Sequence, residues 1–472
     1  MAQVSTPMSM SILGKLHNFL PGGAAILTIT SFLSYALGLW RDRTFAQTFG
    51  AGSELDAYNA SFIIPDLLLN IFVAGALAAG FIPVFSGLLA KQNKKEAPLR
   101  PPGADYAGQA DQLASSVINS AVIAMLIGGI LIFIFAPYFA KITAPGFSEQ
   151  NRVLLVNLTR IMALSPIIFA LSNSLGGMLV SYKKFLFYGL SPALYNLGII
   201  AGTFFLAPII GIYGAAMGTI SGALLHLAIR IIGVGIQDTH DREYLVYRYL
   251  YTLKIRIDKN YKTVLRLMIP KMFGHPVEML TFWGFTAIAS TLGAGNITAL
   301  NFARNFQSLP VSLFGIAFAT AVFPVLSALA AQGDFVNYKK QFLKTLRAIL
   351  FFAGVSAIFI FFAKTLLIKI FLGGGEFSEQ DILLTASTLG VFTLAIPTES
   401  ASHLAARSFY ALKNTVIPVA ASILALGITV LVGYVLSKEL GLLALPLGFF
   451  AGSLFKTIVL LVLLNRRIKF TN

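Results

Sequence analysis

The sequence contains no cysteine. Disulfides, thiolate metal sites and thiol nucleophiles are therefore excluded together. Charge is scarce as well: Asp, Glu, Lys and Arg make up 11% of the 472 residues, where a soluble domain carries about 25%. With 57% of the chain hydrophobic, a soluble enzyme is ruled against. Catalytic groupings are missing too. The histidines His17, His226, His240, His275 and His403 are scattered, with no metal-ligand spacing. The glycine run "LGGGEF" at 372–377 lacks the Lys-Ser/Thr that completes a phosphate-cradling loop. The chain is expected to be no enzyme, to hydrolyse no ATP and to hold no cofactor or metal. Acidic residues are the scarcer sign, 19 against 35 Lys plus Arg, which leaves a net charge of +16. In a membrane protein that excess holds cytoplasmic loops inside, so no nucleic-acid partner is expected.

What is present is a succession of apolar runs. Many reach the roughly 20 residues that carry a helix across a bilayer core. Only helices and closed barrels satisfy the backbone in lipid, and these runs far exceed barrel strands. The fold class expected is an all-α polytopic membrane protein with about twelve transmembrane helices in two pseudo-symmetric six-helix lobes around a central cavity. The cores fall near 24–46, 58–89, 114–138, 153–178, 187–208, 212–234, 264–290, 297–329, 346–371, 382–407, 415–436 and 442–464. The runs 58–89 and 297–329 are longer than a span requires and must tilt, bend or extend past the interface. Both carry prolines, Pro65 and Pro83 in one and Pro310 and Pro324 in the other. The N-terminus lacks a short apolar run followed by a cleavage site, so the first strong run is expected to be a retained helix.

Alternate connections differ in charge. One set is basic, including Lys91, Lys94, Lys95 and Arg100, then Lys183 and Lys184, the long 237–262 loop, Lys339, Lys340 and Lys344, Lys413, and the Arg466, Arg467, Lys469 tail. The other set is short and cation-poor, as in "GAGSELDA", "LGAGNIT" and "GGGEFSEQD". The positive-inside rule puts both termini in the cytoplasm, which requires an even number of spans.

The halves resemble each other. "GFIPVFSGLLAKQ" (80–92) matches "AVFPVLSALAAQG" (321–333), and "FGAG" (49–52) matches "LGAG" (292–295). "GFSEQNRVLL" (146–155) matches "EFSEQDILLT" (376–385), and Gly211, Gly218 and Gly222 are spaced like Gly441, Gly448 and Gly452. The domain organisation expected is an N-terminal lobe at 1–236, a cytoplasmic linker at 237–262 and a C-terminal lobe at 263–472. Six spans in each make the halves parallel repeats, an arrangement in which transporters bind substrate between halves and rock.

With catalysis set aside, charge inside spans is the remaining signal, because a cation at mid-helix costs about 2.5–3.5 kcal/mol and needs a cavity or a partner. Arg41, Asp42 and Arg43 stand in a row late in the first span. Successive helical residues point about 100° apart, so the three cannot share one environment. Either one faces an aqueous cavity, or all sit in a wet headgroup zone. Arg304 begins the eighth span in a polar stretch with Asn301, Asn305 and Gln307. It is either an interfacial anchor or the partner of Arg41 across the halves, where two guanidiniums would suit a phosphate group. Lys271, His275 and Glu278 follow one helical face at spacings of four and three. They form either a basic helix end near lipid headgroups or an inner gate that responds to protons.

The stretch "RDRTFAQTFGAGSELDAYNASFIIPDLLLNIFVAGALAAGFIPVFS" (41–86) resembles the signature of the bacterial lipid II flippases, the MurJ or MviN family. Arg41-Asp42, Phe49 to Gly52, Asp56-Ala57, Pro65 and Phe81 to Pro83 match it in order. "TAPGF" (143–147) and "ARNFQSLPVSLFGIAFATAVFPVLS" (303–327) resemble the family's external loop after the third helix and its eighth helix. The resemblance implies the fold of the multidrug, oligosaccharidyl-lipid and polysaccharide exporter superfamily. It implies alternating access that moves lipid II, an undecaprenyl-pyrophosphate-linked peptidoglycan precursor, across the bacterial cytoplasmic membrane. It places Arg41 and Arg304 on the pyrophosphate. From the residues themselves, Asp42 and Asn301 are expected to bind substrate with them, and Asp56, Lys271, His275 and Glu278 to serve as gate or coupling residues. The partners expected are an anionic lipid-linked substrate and the bilayer, with the protein a monomer and its driving force the membrane potential or an ion gradient. The chain departs from the family at Tyr35 and Leu69, where arginines are usual, and at Ala74, where glutamate is usual. Two further C-terminal helices common in the family are expected to be missing. The alternatives are an exporter of another lipid-linked oligosaccharide or of drugs, and a membrane scaffold that transports nothing.

Overall fold

The computed structural model of the chain describes residues 22–93, 106–235, 255–274 and 277–469. His275 and most of the 237–262 linker lie outside these residues. The first half comprises α1 (Gly22–Phe49), α2 (Ser53–Ser61), α3 (Ile63–Leu69), α4 (Gly75–Asn93), α5 (Tyr106–Thr143), α6 (Glu149–Met162), α7 (Ser165–Ser181), α8 (Phe185–Ile210) and α9 (Ile212–Gly235). The second comprises α10 (Lys259–Gly274), α11 (Val277–Ser290), α12 (Asn296–Pro310), α13 (Ala317–Gln332), α14 (Phe335–Phe371), α15 (Glu379–Phe392), α16 (Ala395–Ala411), α17 (Val416–Leu440) and α18 (Ala444–Lys469). Each of the twelve expected cores coincides with one helix or with consecutive helices separated by a short break. Seven described helical runs are long and apolar enough to cross a membrane, and eight if α15 and α16, bent by 45°, count as one. One of the seven, Val416–Ile468, contains both α17 and α18. At 1.5 Å per residue its 53 residues would extend about 80 Å, more than twice a hydrocarbon core.

The sequence repeat is a structural repeat. α6 (Glu149–Met162) and α15 (Glu379–Phe392) have the same length, and so do α7 (Ser165–Ser181) and α16 (Ala395–Ala411). One constant offset in numbering carries both ends of α6 onto α15 and both ends of α7 onto α16. The shared "FSEQ" motif is a helix cap. Ser378 Oγ accepts from the Asp381 amide while Asp381 accepts from the Ser378 amide, closing a capping box. Ser148 Oγ, at the equivalent position before α6, accepts from the Asn151 amide. Gly211 and Gly441 end α8 and α17 at φ 59° and 55°, a left-handed region open to glycine at little cost.

The two long spans share an interruption of the same form. A π-helical segment at Asn70–Ala74 interrupts the second span, and one at Val311–Ile316 interrupts the eighth. Pro83 follows the start of the first segment at the same distance in sequence as Pro324 follows the start of the second. An extra residue in the helical turn frees backbone groups and marks functional helices often.

The chain forms two compact units. One comprises Met1–Arg41, Ile64–Phe135 and Leu158–His275; the other comprises Asp42–Ile63, Ala136–Asn157 and Pro276–Asn472. In the first unit Phe81 and Phe85 stack at 4.9 Å and pack with Leu113, Met125, Leu175 and Val264. In the second, Leu326, Tyr338, Ile349, Leu404, Phe409 and Leu460 form a core, and the buried Tyr338 hydroxyl donates to the Ser408 carbonyl at 2.8 Å. Many large apolar side chains are exposed, as lipid contact requires: Phe362 is 82% exposed and Ile209 78%.

Helix pairing in the first unit depends on close approach. A Cβ on Gly202 would lie 2.2 Å from Gly218 Cα, and one on Gly198 would lie 2.3 Å from Gly222 Cα. This small-residue packing is how helices associate where lipid supplies no hydrophobic drive. Arg230, 4% exposed, crosses the same bundle. Its Nε donates to Ser191 Oγ at 2.9 Å, its Nη1 donates to the Ser172 carbonyl at 2.8 Å and to Asn173 Oδ1 at 3.0 Å, and its guanidinium lies over the Tyr188 ring.

Candidate functional site

The charged triplet on α1 resolves into three environments, as steps of about 100° demand. In the first unit, Arg41 Nη1 donates to Asn196 Oδ1 of α8 at 3.1 Å, and Asn196 in turn donates to the Ser34 carbonyl. In the second unit, Asp42 is 5% exposed and accepts from Asn305 Nδ2 of α12 at 2.7 Å. Arg43, also in that unit, donates to the Ile370 carbonyl at 2.6 Å, at the end of α14. A guanidinium there meets the negative end of the helix dipole.

Asp56 is fully buried on α2 and serves α12. Its carboxylate accepts from the Gly295 amide, the Thr298 amide and Thr298 Oγ1, each at 2.7 Å. The start of α12 has no cap from its own N-cap residue, Gly295 at φ 84°, so Asp56 supplies the acceptor from another helix. Asp56→Ala strands three donors in a buried site and is expected to cost about 3–5 kcal/mol. Thermal unfolding of the purified variant would show this as a large fall in midpoint, with Asp56→Asn intermediate. An unchanged midpoint would show that the cap is dispensable.

The cap fixes the start of the helix that carries Asn301, Arg304, Asn305 and Gln307. Arg304 Nη2 donates to Glu278 Oε1 of α11 at 2.8 Å, and its guanidinium lies 3.1 Å from the centroid of the Phe282 ring, one turn further along α11. Its side chain is 32% exposed, and Glu278 is 64% exposed. Asn301 is half-buried one turn before Arg304. Gln307 is 2% exposed and donates to Glu399 Oε2 of α16 at 2.6 Å. Glu399 also lies within electrostatic range of Arg304, Glu278 and Lys456.

The arrangement is a flat cation clamped between an aromatic face and one carboxylate. Among the described residues, its Nε and Nη1 make no hydrogen bond. A planar fork with free donors fits phosphate oxygens. Of the expected gate group, Glu278 joins Arg304, His275 lies outside the described residues, and Lys271 sits on α10. Of the positions where the chain departs from the family, Tyr35 is 51% exposed, and Leu69 is 9% exposed within the apolar core of the first unit.

Sequence reasoning passed over Glu399 and Lys456 in the second unit and Arg230 and Asp66 in the first, and weighed His403 only as a metal ligand. All are ionisable residues inside apolar helices, the same signal that singled out Arg304.

The sequence model of the family described as "Lipid II flippase MurJ" matches residues 45–472. The lipid II flippase MurJ of Burkholderia cenocepacia is 27% identical over 449 residues, 94% of this chain and 84% of that protein. The lipid II flippase MurJ of Thermosipho africanus is 27% identical over 85% of this chain and 77% of its own length. Among solved structures, a lipid II flippase MurJ in an inward closed conformation superimposes with a TM-score of 0.76 at 25% identity, over 93% of this chain and 87% of that one. A multidrug resistance transporter of the MATE family, in the MOP superfamily, superimposes with a TM-score of 0.74 over 95% of this chain and 98% of its own. At 16% identity that likeness shows the fold alone. With the family match running from residue 45 to the last residue of the sequence, this chain belongs to the lipid II flippase MurJ family.

Proposed function

We propose that this chain is a lipid II flippase of the bacterial cytoplasmic membrane, with both termini cytoplasmic, working as a monomer by alternating access. The diphosphate headgroup travels a hydrated path while the polyprenyl tail stays in lipid. A headgroup in bare hydrocarbon would meet a prohibitive desolvation cost. One observation carries the reading beyond family membership: the Arg304 guanidinium lies over the Phe282 ring, with donors to spare. Arg41 supplies a second guanidinium, Asp42 and Asn301 lie beside the two arginines in sequence, and Glu278 competes with the headgroup for Arg304. With no nucleotide-binding motif in the sequence, the membrane potential or an ion gradient drives the cycle; one charge moved through 100 mV is worth about 2.3 kcal/mol.

Complementation tests this reading. The wild-type gene is expected to restore growth and cell shape to a bacterium depleted of its own flippase, and Arg41→Ala to restore them poorly. Failure of a folded, inserted wild-type protein to rescue would favour another cargo or a scaffold. Equal rescue by Arg41→Ala would remove Arg41 from the mechanism.

A further inference from the structure

The structural repeat allows the two halves to be compared position by position, and one pair of positions has changed its chemistry. At the offset that relates α7 to α16, Phe169 on α7 corresponds to Glu399 on α16, and His226 on α9 corresponds to Lys456 on α18. In the first unit the Phe169 and His226 rings meet edge to face at 5.1 Å, and Ser172 Oγ holds His226 Nδ1 at 2.7 Å. In the second unit the same positions hold a carboxylate and an ammonium within electrostatic range of each other. Hydrogen bonds fix the two helices in register around them: Thr457 Oγ1 donates to the Thr398 carbonyl at 2.7 Å, and the Thr398 and Ser453 hydroxyls pair at 2.9 Å. A duplicated bundle needs no acid–base pair at this contact, because its twin is built without one.

The added charges join the Arg304 cluster. Among the described residues, the charged groups acting on Glu399 are Glu278 from α11, Arg304 from α12 and Lys456 from α18. His403 follows one turn along α16, where Lys456, Glu278 and Arg407 act on it. Two carboxylates balance two cations, so the cluster is neutral while Glu278 holds Arg304. A diphosphate that takes Arg304 upsets this balance. Two carboxylates then share one lysine beside a newly arrived anion, in a half-buried site where charge imbalance is expensive. Glu278, the more exposed carboxylate, keeps its hydration. Glu399 has Gln307, a neutral donor, as its direct partner.

We propose that Glu399 is a proton-binding site linked to the anion site at Arg304: the second unit takes up one proton on the Glu399 carboxylate as a diphosphate engages Arg304, and returns it to water when the diphosphate leaves. The proposal rests on the lipid II reading and goes beyond it by naming the coupled ion and its carrier. Proton uptake on binding means that affinity falls as pH rises, by up to about tenfold per pH unit where one full proton is linked.

The test uses the full chain in lipid nanodiscs with lipid II, whose diphosphate diester keeps both charges between pH 5.5 and 8.5. Wild type is expected to bind more weakly as pH rises. Glu399→Gln, which mimics the protonated carboxyl, is expected to bind with an affinity independent of pH, and His403→Gln to keep the wild-type slope. A flat wild-type profile, or a slope that survives in Glu399→Gln, overturns the proposal; so does a slope lost only in His403→Gln. Infrared difference spectra at pH 7, with minus without inorganic pyrophosphate, provide a readout that needs no lipid. A protonated carboxyl band present in wild type and missing in Glu399→Gln supports the site, and its absence from both overturns it. If wild type binds no lipid II at any pH, the substrate reading fails and the infrared band alone decides the proton site.

Discussion

Arg304→Ala is expected to slow lipid II translocation by roughly 10- to 100-fold, the value of one or two charge-assisted hydrogen bonds to a diphosphate. The fold should survive. Of the two carboxylates left behind, Glu278 is 64% exposed and keeps its hydration, and Glu399 can take up a proton, so removing Arg304 strands no deeply buried charge. Thermal unfolding of the variant is therefore expected to stay close to wild type while transport collapses. Arg304→Lys should recover little, because an ammonium cannot lie flat on Phe282 and present a fork at the same time. Transport by Arg304→Ala at the wild-type rate in reconstituted vesicles would remove the residue from the headgroup site.

The second large effect concerns stability. Gly202→Leu is expected to prevent the first unit from assembling. A Cβ there meets Gly218 Cα at 2.2 Å and its amide nitrogen at 2.6 Å, where ordinary contact begins at 3.4 Å. The obstruction is backbone, so no rotamer change relieves it, and α8 and α9 must separate along their shared face. Overpacking of this kind costs at least about 3 kcal/mol. The variant should fail to accumulate or should melt far below wild type. Gly354→Leu is the matched control, since a Cβ there meets nothing within 4 Å; it should fold normally. Equal behaviour of the two variants would contradict the close-packing argument.

What the sequence revealed and what it hid follow from the range of the interactions. The repeat was legible because its motifs encode local structure. "FSEQ" writes a helix cap, Gly211 and Gly441 write left-handed helix ends, and Pro83 and Pro324 mark the two long spans. The π-helical interruptions of those spans were not legible, since no residue type requires them. Asp56 was visible only as part of a motif. Its work, capping a helix that belongs to the other half of the sequence, depends on tertiary structure. The triplet at 41–43 could be divided among environments by helical geometry alone, but its three partners lie on three other helices. Glu399 and Lys456 were missed for a different reason. The halves were matched through glycine, proline and apolar motifs, and those pass over the positions where one copy has Phe169 and His226 and the other an acid and a base.

The central claim is that this chain carries a diphosphate-linked lipid across a bilayer. Purified protein in vesicles containing lipid II labelled on its peptide, with a membrane potential imposed, tests it most directly. The account predicts that label moves between leaflets faster than in protein-free vesicles, and that Arg304→Ala removes most of the gain. Movement no faster than in protein-free vesicles, with the protein folded and inserted, would contradict it.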